Sequence, residues 1–150
     1  KEFSRIMSLK DGLKKMSKSE ISDLSRINLT DDKDTIANKI KKAKTDALPL
    51  PSTIEELEKR PEAKNLIGIF SSLSGLTLEN SLNEFSGKNF SNFKENLSQL
   101  LIEKIIPISF EIKKLLNDHN YLDSILIDGY KKADKIASKK VEKIHEIIGF

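Results

Sequence analysis

From about residue 32 onward, apolar residues recur at three- and four-residue steps, the spacing of one face of a helix. Over Asp32–Ala43, Ile36, Ala37, Ile40 and Ala43 share a face, while Lys39, Lys41, Lys42 and Lys44 fall on the others. Asp32 or Asp34 at the start and lysines at the end suit the helix macrodipole. Leu48-Pro49-Leu50-Pro51-Ser52 then breaks the pattern, because closely spaced prolines favour an extended linker. Ser52 or Thr53 followed by Glu55-Glu56 has the form of a helix start, which Pro61 limits to two turns. From Ala63 to Ser74, Leu66, Ile67, Ile69, Phe70 and Leu73 predict an amphipathic helix with Gly75 as its C-terminal cap. Thr77 can cap the next, with Leu78, Leu82 and Phe85 inward and Gly87 closing it. Two long helices follow. The first runs from about Asn89 to Leu116, with Pro107 expected to kink rather than end it. The second runs from about Tyr121 to Ile148, lined on one side by Ala133, Ile136, Ala137, Val141, Ile144, Ile147 and Ile148. Helices joined by short Gly or Asn/Asp turns predict a mainly α chain folded as an up-and-down bundle.

The first thirty residues are different. Arg5 to Leu9 is a short apolar run of strand character, with no convincing strand after it. A lone strand has no sheet to pair with, so its partners are expected upstream. Glu20 to Asp34 is polar and weakly periodic, with Asp23 or Ser22 placed to cap a short turn. Charge also divides the chain unevenly. Residues 1–46 carry 12 Lys and Arg against 8 Asp and Glu, a balance of +4, whereas residues 47–150 carry 14 against 15, a balance of −1. The positive excess therefore surrounds the start of the chain, where an anionic ligand would use it.

Within that basic part lies Lys14-Lys15-Met16-Ser17-Lys18-Ser19. Lysine is a compact point charge on a flexible stem, able to follow a phosphate as it moves. Serine hydroxyls and the loop's own N–H groups can supply further donors. Gly12 would let the backbone turn into the loop. The other reading of these residues is a solvated lysine-rich loop. A second basic feature is the arc of Lys131, Lys132, Lys135, Lys139 and Lys143 on the last helix, attractive to a phosphate backbone. Glu142 and Glu146 share that arc and could simply balance it. Phe85, Phe90 and Phe93 are expected in the core rather than as base-stacking platforms.

Composition adds limits. With 150 residues and 37% apolar content, the chain can bury one modest core or be a piece of something larger. No apolar run is long enough to span a bilayer and no leader pattern opens the chain. There is no cysteine, so neither a disulfide framework nor a thiolate metal site is available, and a cytoplasmic location is expected. His119 and His145 lack spaced partners and are expected on helix surfaces, so no metal site is assigned.

Lys15-Met16-Ser17-Lys18-Ser19 matches, letter for letter, the KMSKS signature of class I aminoacyl-tRNA synthetases. Its flanks narrow the likeness. Arg5-Ile6-Met7-Ser8-Leu9 and Asp11 precede it; Leu29-Thr30-Asp31-Asp32, Ile36, Lys39-Ile40, Ala43 and Thr45-Asp46 follow. Together with Ser72-Leu73-Ser74-Gly75, Gly87-Lys88 and Asp128-Gly129, these residues make the whole chain resemble tryptophanyl-tRNA synthetase. The resemblance implies that residues 1–31 are the C-terminal end of a class I Rossmann catalytic domain, with its last strand and KMSKS loop. Residues 32–150 would then be the helical anticodon-binding region. It implies catalytic roles for Lys15 and Lys18, and ATP contacts at Ile6, Lys15, Met16, Ser17, Lys18 and Ser19, with Ile6 touching adenine through its backbone. Mg²⁺ would travel with ATP rather than sit in a protein cage. Tryptophan, ATP and tRNA(Trp) would be the partners, in a homodimer joined mainly through the missing domain. The HIGH-type motif and tryptophan pocket are not in these residues, so the piece alone is expected not to catalyse adenylation. Glu20 stands where aspartate commonly follows the loop, and Gly12-Leu13 replaces a more usual Pro/Gly-Thr pair. Two alternatives remain: another class I synthetase such as the tyrosyl enzyme, and a non-catalytic helical module that binds RNA or protein.

Overall fold

The computed structural model describes residues 5–149, and all regular structure among them is helical. A single turn of 3-10 helix, Asp23–Ser25, precedes six α-helices: α1 (Lys33–Lys41), α2 (Ile54–Glu58), α3 (Pro61–Ser74), α4 (Leu78–Phe85), α5 (Phe90–Asn117) and α6 (His119–Ile148). Side-chain oxygens set several of the starts. Asp32, Thr53 and Thr77 each accept a hydrogen bond from the backbone N–H three residues on, at Thr35, Glu56 and Asn80. Each satisfies one of the donors that a helix leaves unpaired at its first turn. Pro61 opens α3 as its first residue, where its missing N–H costs nothing. Gly75 ends α3 with φ +78°, a left-handed conformation that glycine adopts without strain.

Two compact units divide between Phe110 and Glu111. In the first, Leu9, Ile36, Ile40, Leu66, Leu82 and Leu97 belong to one buried apolar cluster. At its centre Phe85 meets Phe70 and Phe93 edge-on, with ring centroids 5.0 and 4.9 Å apart. Phe90 is buried as well, as the sequence led one to expect. Leu9 enters this cluster with residues of α1, α3 and α4, so the start of the chain and its helices share a core. α5 runs through Pro107 without ending. In the second unit Asp118 caps α6 by accepting from the Tyr121 N–H, and no residue of α6 is buried. The apolar side formed by Ile136, Val141, Ile144 and Ile147 is therefore exposed in this chain. No helix among the described residues is long and apolar enough to cross a membrane.

The run Arg5–Leu9 has one isolated antiparallel bridge, Met7 with Lys15. Its backbone is satisfied piecemeal. The Asn65 side chain of α3 accepts from the Met7 N–H and donates to the Met7 carbonyl, both at 2.9 Å. One amide side chain thus supplies the donor and acceptor that a neighbouring strand would have offered. The Leu9 N–H donates to Ser25 O at 2.9 Å, and the Lys44 N–H donates to Leu9 O at 2.7 Å.

Candidate functional site

The signature loop springs from a hairpin in which Ile6 to Ser8 pair with Lys14 to Met16. The Ser8 N–H donates to Lys14 O at 2.8 Å, and the Met16 N–H donates to Ile6 O at 3.0 Å. Between them the turn is closed by Asp11, whose carbonyl accepts from the Lys14 N–H and whose carboxylate accepts from the Leu13 N–H. Met16 is half-buried and packs against the main core, so it ties the loop to the body of the first unit. Gly12 acts differently from the sequence expectation. Its φ is not positive; what requires glycine is the approach of the Pro61–Glu62 backbone, where a Cβ would lie 2.6 Å from two main-chain atoms. The turn itself does not need glycine, but the packing of the turn on α3 does.

Arg5, Ile6, Lys15, Met16, Ser17 and Lys18 line one side of a cleft of about 630 Å³, faced by Arg26 to Thr30. Five of the six residues expected to contact a nucleotide therefore meet in one place. Ser19 does not line the cleft; its hydroxyl is hydrogen-bonded to that of Ser17 at 2.8 Å, and its N–H donates to the same Ser17 oxygen. The lysines differ from one another. Lys14 faces Asp11 at 3.8 Å, whereas Lys15 and Lys18 are exposed, with no ion pair or side-chain hydrogen bond among the described residues. Two ammonium groups without an ion-pair partner among the described residues give the cleft beside them a positive edge. Such a site suits a polyanion rather than a neutral molecule.

Three residues that support the site were given no part in it by the sequence. Asn65 is one, described above. Lys39 was expected on an outer face of α1, yet it is 1% exposed, with its Nζ 2.6 Å from Asp23 and 2.7 Å from Asp31. The signal was present: Lys39 lies three residues after Ile36 and four before Ala43, on the apolar side. A buried cation is tolerated when it is paired, and both carboxylates come from the segment that follows the loop. Arg26 is the third. Its guanidinium contacts Asp23, Asn28 and the Glu20 carbonyl at 2.8–3.3 Å. The hydrogen bond from Lys39, and next that from Asn28, hold the Asp23 carboxyl below the usual range.

Elsewhere in the first unit a second cleft of about 810 Å³ opens where α1, the 45–49 linker and the start of α5 meet. Lys41, Lys94, Glu95 and Gln99 supply polar groups, and Leu48 and Pro49 an apolar wall. Glu95 and Gln99 have no side-chain partner among the described residues. Lys94 donates to the Ala43 and Lys41 carbonyls at the end of α1, joined by Lys10 on Lys42 O. Cations there complement the negative end of the helix dipole. Burial, with Lys10 nearby, lowers the Lys94 pKa. The five lysines of the α6 arc are exposed, and none is ion-paired with Glu142 or Glu146.

A family model for class I tRNA synthetases (W and Y) matches residues 3–106. Among curated proteins, the chain is 51% identical over 146 residues to a tryptophan–tRNA ligase of Brucella melitensis, covering 97% of the chain and 41% of that relative. It is 50% identical over 147 residues to a tryptophan–tRNA ligase of Rickettsia felis, covering 98% of the chain and 44% of the relative. Among solved structures, it is similar to a tryptophanyl-tRNA synthetase from Campylobacter jejuni complexed with ADP and tryptophan. That match has a TM-score of 0.75 at 26% identity and covers 98% of this chain and 44% of the other. The chain thus spans 41% to 44% of the length of these relatives.

Proposed function

The chain belongs to the class I tRNA synthetases of the tryptophan and tyrosine type, and we propose that it forms the C-terminal part of a tryptophan–tRNA ligase. The reaction activates tryptophan with ATP to tryptophanyl-adenylate and then transfers the tryptophanyl group to tRNA(Trp). Residues 1–31 supply the end of the catalytic domain and residues 32–150 the helical tRNA-binding region. That division is one of function, since Leu9 packs into the same core as the helices. The observation that carries the reading is the pair of unpartnered ammonium groups, Lys15 and Lys18, beside the 630 Å³ cleft.

In the first step the tryptophan carboxylate attacks the α-phosphorus of ATP, and pyrophosphate leaves. No side-chain nucleophile is needed; the protein positions the reactants and neutralises charge on the leaving group. Lys15 and Lys18 are the catalytic residues, placed against the departing phosphates. Ile6, Met16 and Ser17 complete the ATP contacts from the cleft wall. Adenine sits against the Ile6 backbone where the hairpin begins, beside the carbonyl that accepts from the Met16 N–H. Ser19 holds Ser17 in place and turns its hydroxyl to a phosphate oxygen as the loop closes. Mg²⁺ enters as the ATP complex. The similar Campylobacter jejuni synthetase is complexed with ADP and tryptophan, which supports a nucleotide and tryptophan as ligands here. The remaining length of the relatives would carry the tryptophan pocket and the homodimer contact.

Two features support contact with tRNA. The α6 lysines form no ion pair with the glutamates that share their arc, and the 810 Å³ cleft offers an apolar wall with Gln99 and Glu95, unpartnered among the described residues, for the edge of an unpaired base. The experiment for the whole reading is tryptophan-dependent ATP–pyrophosphate exchange by the full-length polypeptide. Lys18→Ala should lower its rate about a hundredfold, as loss of a preorganised charge partner does, with tryptophan affinity little changed. Unchanged turnover would remove Lys18 from the mechanism. Exchange supported by tyrosine instead of tryptophan would reassign the substrate.

A further inference from the structure

Lys15 and Lys18 make no side-chain hydrogen bond or ion pair among the described residues, so the placement of their charges must come from the backbone around them. Around Lys15 that backbone is fixed by the pairing with Ile6 to Ser8; around Lys18 it is held from the side of Arg26. Arg26 donates through Nη1 to Glu20 O at 2.8 Å and, more weakly, to Ser17 O at 3.5 Å. These carbonyls flank Lys18 and Ser19, so the outer part of the loop hangs at both ends from one guanidinium nitrogen. The same guanidinium is anchored at its back. Its Nη2 lies 2.9 Å from Asp23 Oδ1, while Asp23 Oδ2 lies 2.6 Å from the buried Lys39 ammonium on α1. Lys39 is held in turn by Asp31, which accepts from the Asn28 N–H and side chain. A continuous line of charge-assisted hydrogen bonds therefore runs from the core helix, through Lys39, Asp23 and Arg26, to the loop.

We propose that Arg26 and Lys39, bridged by Asp23, are positioning residues that set where the Lys18 ammonium group stands relative to the departing phosphates. The proposal rests on the phosphate-binding reading of the loop. Arginine is required at residue 26 by geometry. A planar fork reaches a carboxylate and two carbonyls at once, whereas a lysine ammonium on a single stem cannot span them. Lys39 must be a cation because Asp23 and Asp31 converge on it in a buried place. A misplacement of about 1 Å is enough to cost on the order of a hundredfold in rate when catalysis depends on orientation.

The test uses the full-length polypeptide with Arg26→Gln, Arg26→Lys and Asp23→Asn. Asp23 lies outside the cleft lining and is half exposed, so its variant is the one least able to act through misfolding or direct substrate contact. Two quantities are followed: kcat and KM in tryptophan-dependent pyrophosphate exchange, and hydrogen exchange of the amides from Ser17 to Ile21. Arg26→Gln and Asp23→Asn should each lower kcat about tenfold or more, leave the KM for tryptophan unchanged, and speed loop amide exchange about tenfold. Arg26→Lys should restore less than half of either loss. Unchanged amide exchange overturns the brace, and faster amide exchange with unchanged kcat overturns its link to the reaction. If the unmodified polypeptide exchanges pyrophosphate with neither tryptophan nor tyrosine, the functional reading fails and this link with it. The amide data then decide the brace alone.

Discussion

Replacing Gly12 by alanine is expected to loosen the root of the hairpin that leads into Lys15 and Lys18. Gly12 does not occupy a left-handed conformation, so alanine would gain about 0.4–1 kcal/mol from a less flexible unfolded chain. Against that gain, the new methyl carbon would stand 2.6 Å from Pro61 C and Glu62 N, and 2.8 Å from Pro61 O. Ordinary contact begins at 3.4 Å, and 3.4 less 2.6 leaves about 0.8 Å by which two backbones must part. No rotamer change can relieve a clash among main-chain atoms, and the Pro61 ring restricts the backbone further. Overpacking of this kind costs about 1–3 kcal/mol, so the net loss is on the order of 1–2 kcal/mol. For a unit of roughly a hundred residues this lowers Tm by roughly 5–15 °C. The assay is thermal unfolding followed by far-ultraviolet circular dichroism, with Gly129→Ala as the control. Gly129 lies within α6 with open space where a Cβ would go, so alanine there should only favour the helix. A Gly12→Ala chain melting at or above the parent temperature would refute the close-approach argument.

Other outcomes follow from single contacts. The Ser81 hydroxyl is fully buried, with no partner among the described residues; Ser81→Ala should leave stability unchanged or raise it by about 1 kcal/mol in urea unfolding. Phe93→Ala removes a ring packed against both Phe70 and Phe85, and should cost about 3–5 kcal/mol in the same measurement. Arg60, Lys44 and Lys39 hold the carboxyls of Asp46, Glu62 and Asp23 below their ordinary values of 3.8, 4.5 and 3.8. Carboxyls lowered in the folded state contribute stability above those ordinary values and lose it as pH falls through the lower folded ones. Melting temperature should therefore hold steady from neutral pH down to about 5 and fall in stronger acid. A melting temperature indifferent to acid would refute that assignment.

Much of the helical order was legible because caps and breaks are local chemistry. Asp32, Thr53, Thr77 and Gly75 each end or begin an element through groups within a few residues, so a single sequence carries the information. Pro61 was legible as a boundary but not as the first residue of α3, since the same ring both stops one helix and starts another. The candidate site was legible through five adjoining letters, and the cleft gathers all of them except Ser19. What supports those letters was hidden. Lys39 had the spacing of a buried residue and the chemistry of an exposed one; only the convergence of Asp23 and Asp31 decides between them. Asn65 and Gly12 are each defined by contact with a segment far off in the chain, and no periodicity reports such a meeting. On α6 the apolar positions were plain, but amphipathicity marks a face without saying what covers it.

The short span from Met7 to Gly12 is moored twice to the first two turns of α3, once by the Asn65 amide and once by bare main chain against Pro61 and Glu62. Span and helix therefore move as one lever. A displacement of α3 carries the base of the hairpin before Lys15 and Lys18 with it, and a ligand that draws that base inward tugs on the helix to the same energetic extent. Events at the two ends would feel each other without a dedicated relay.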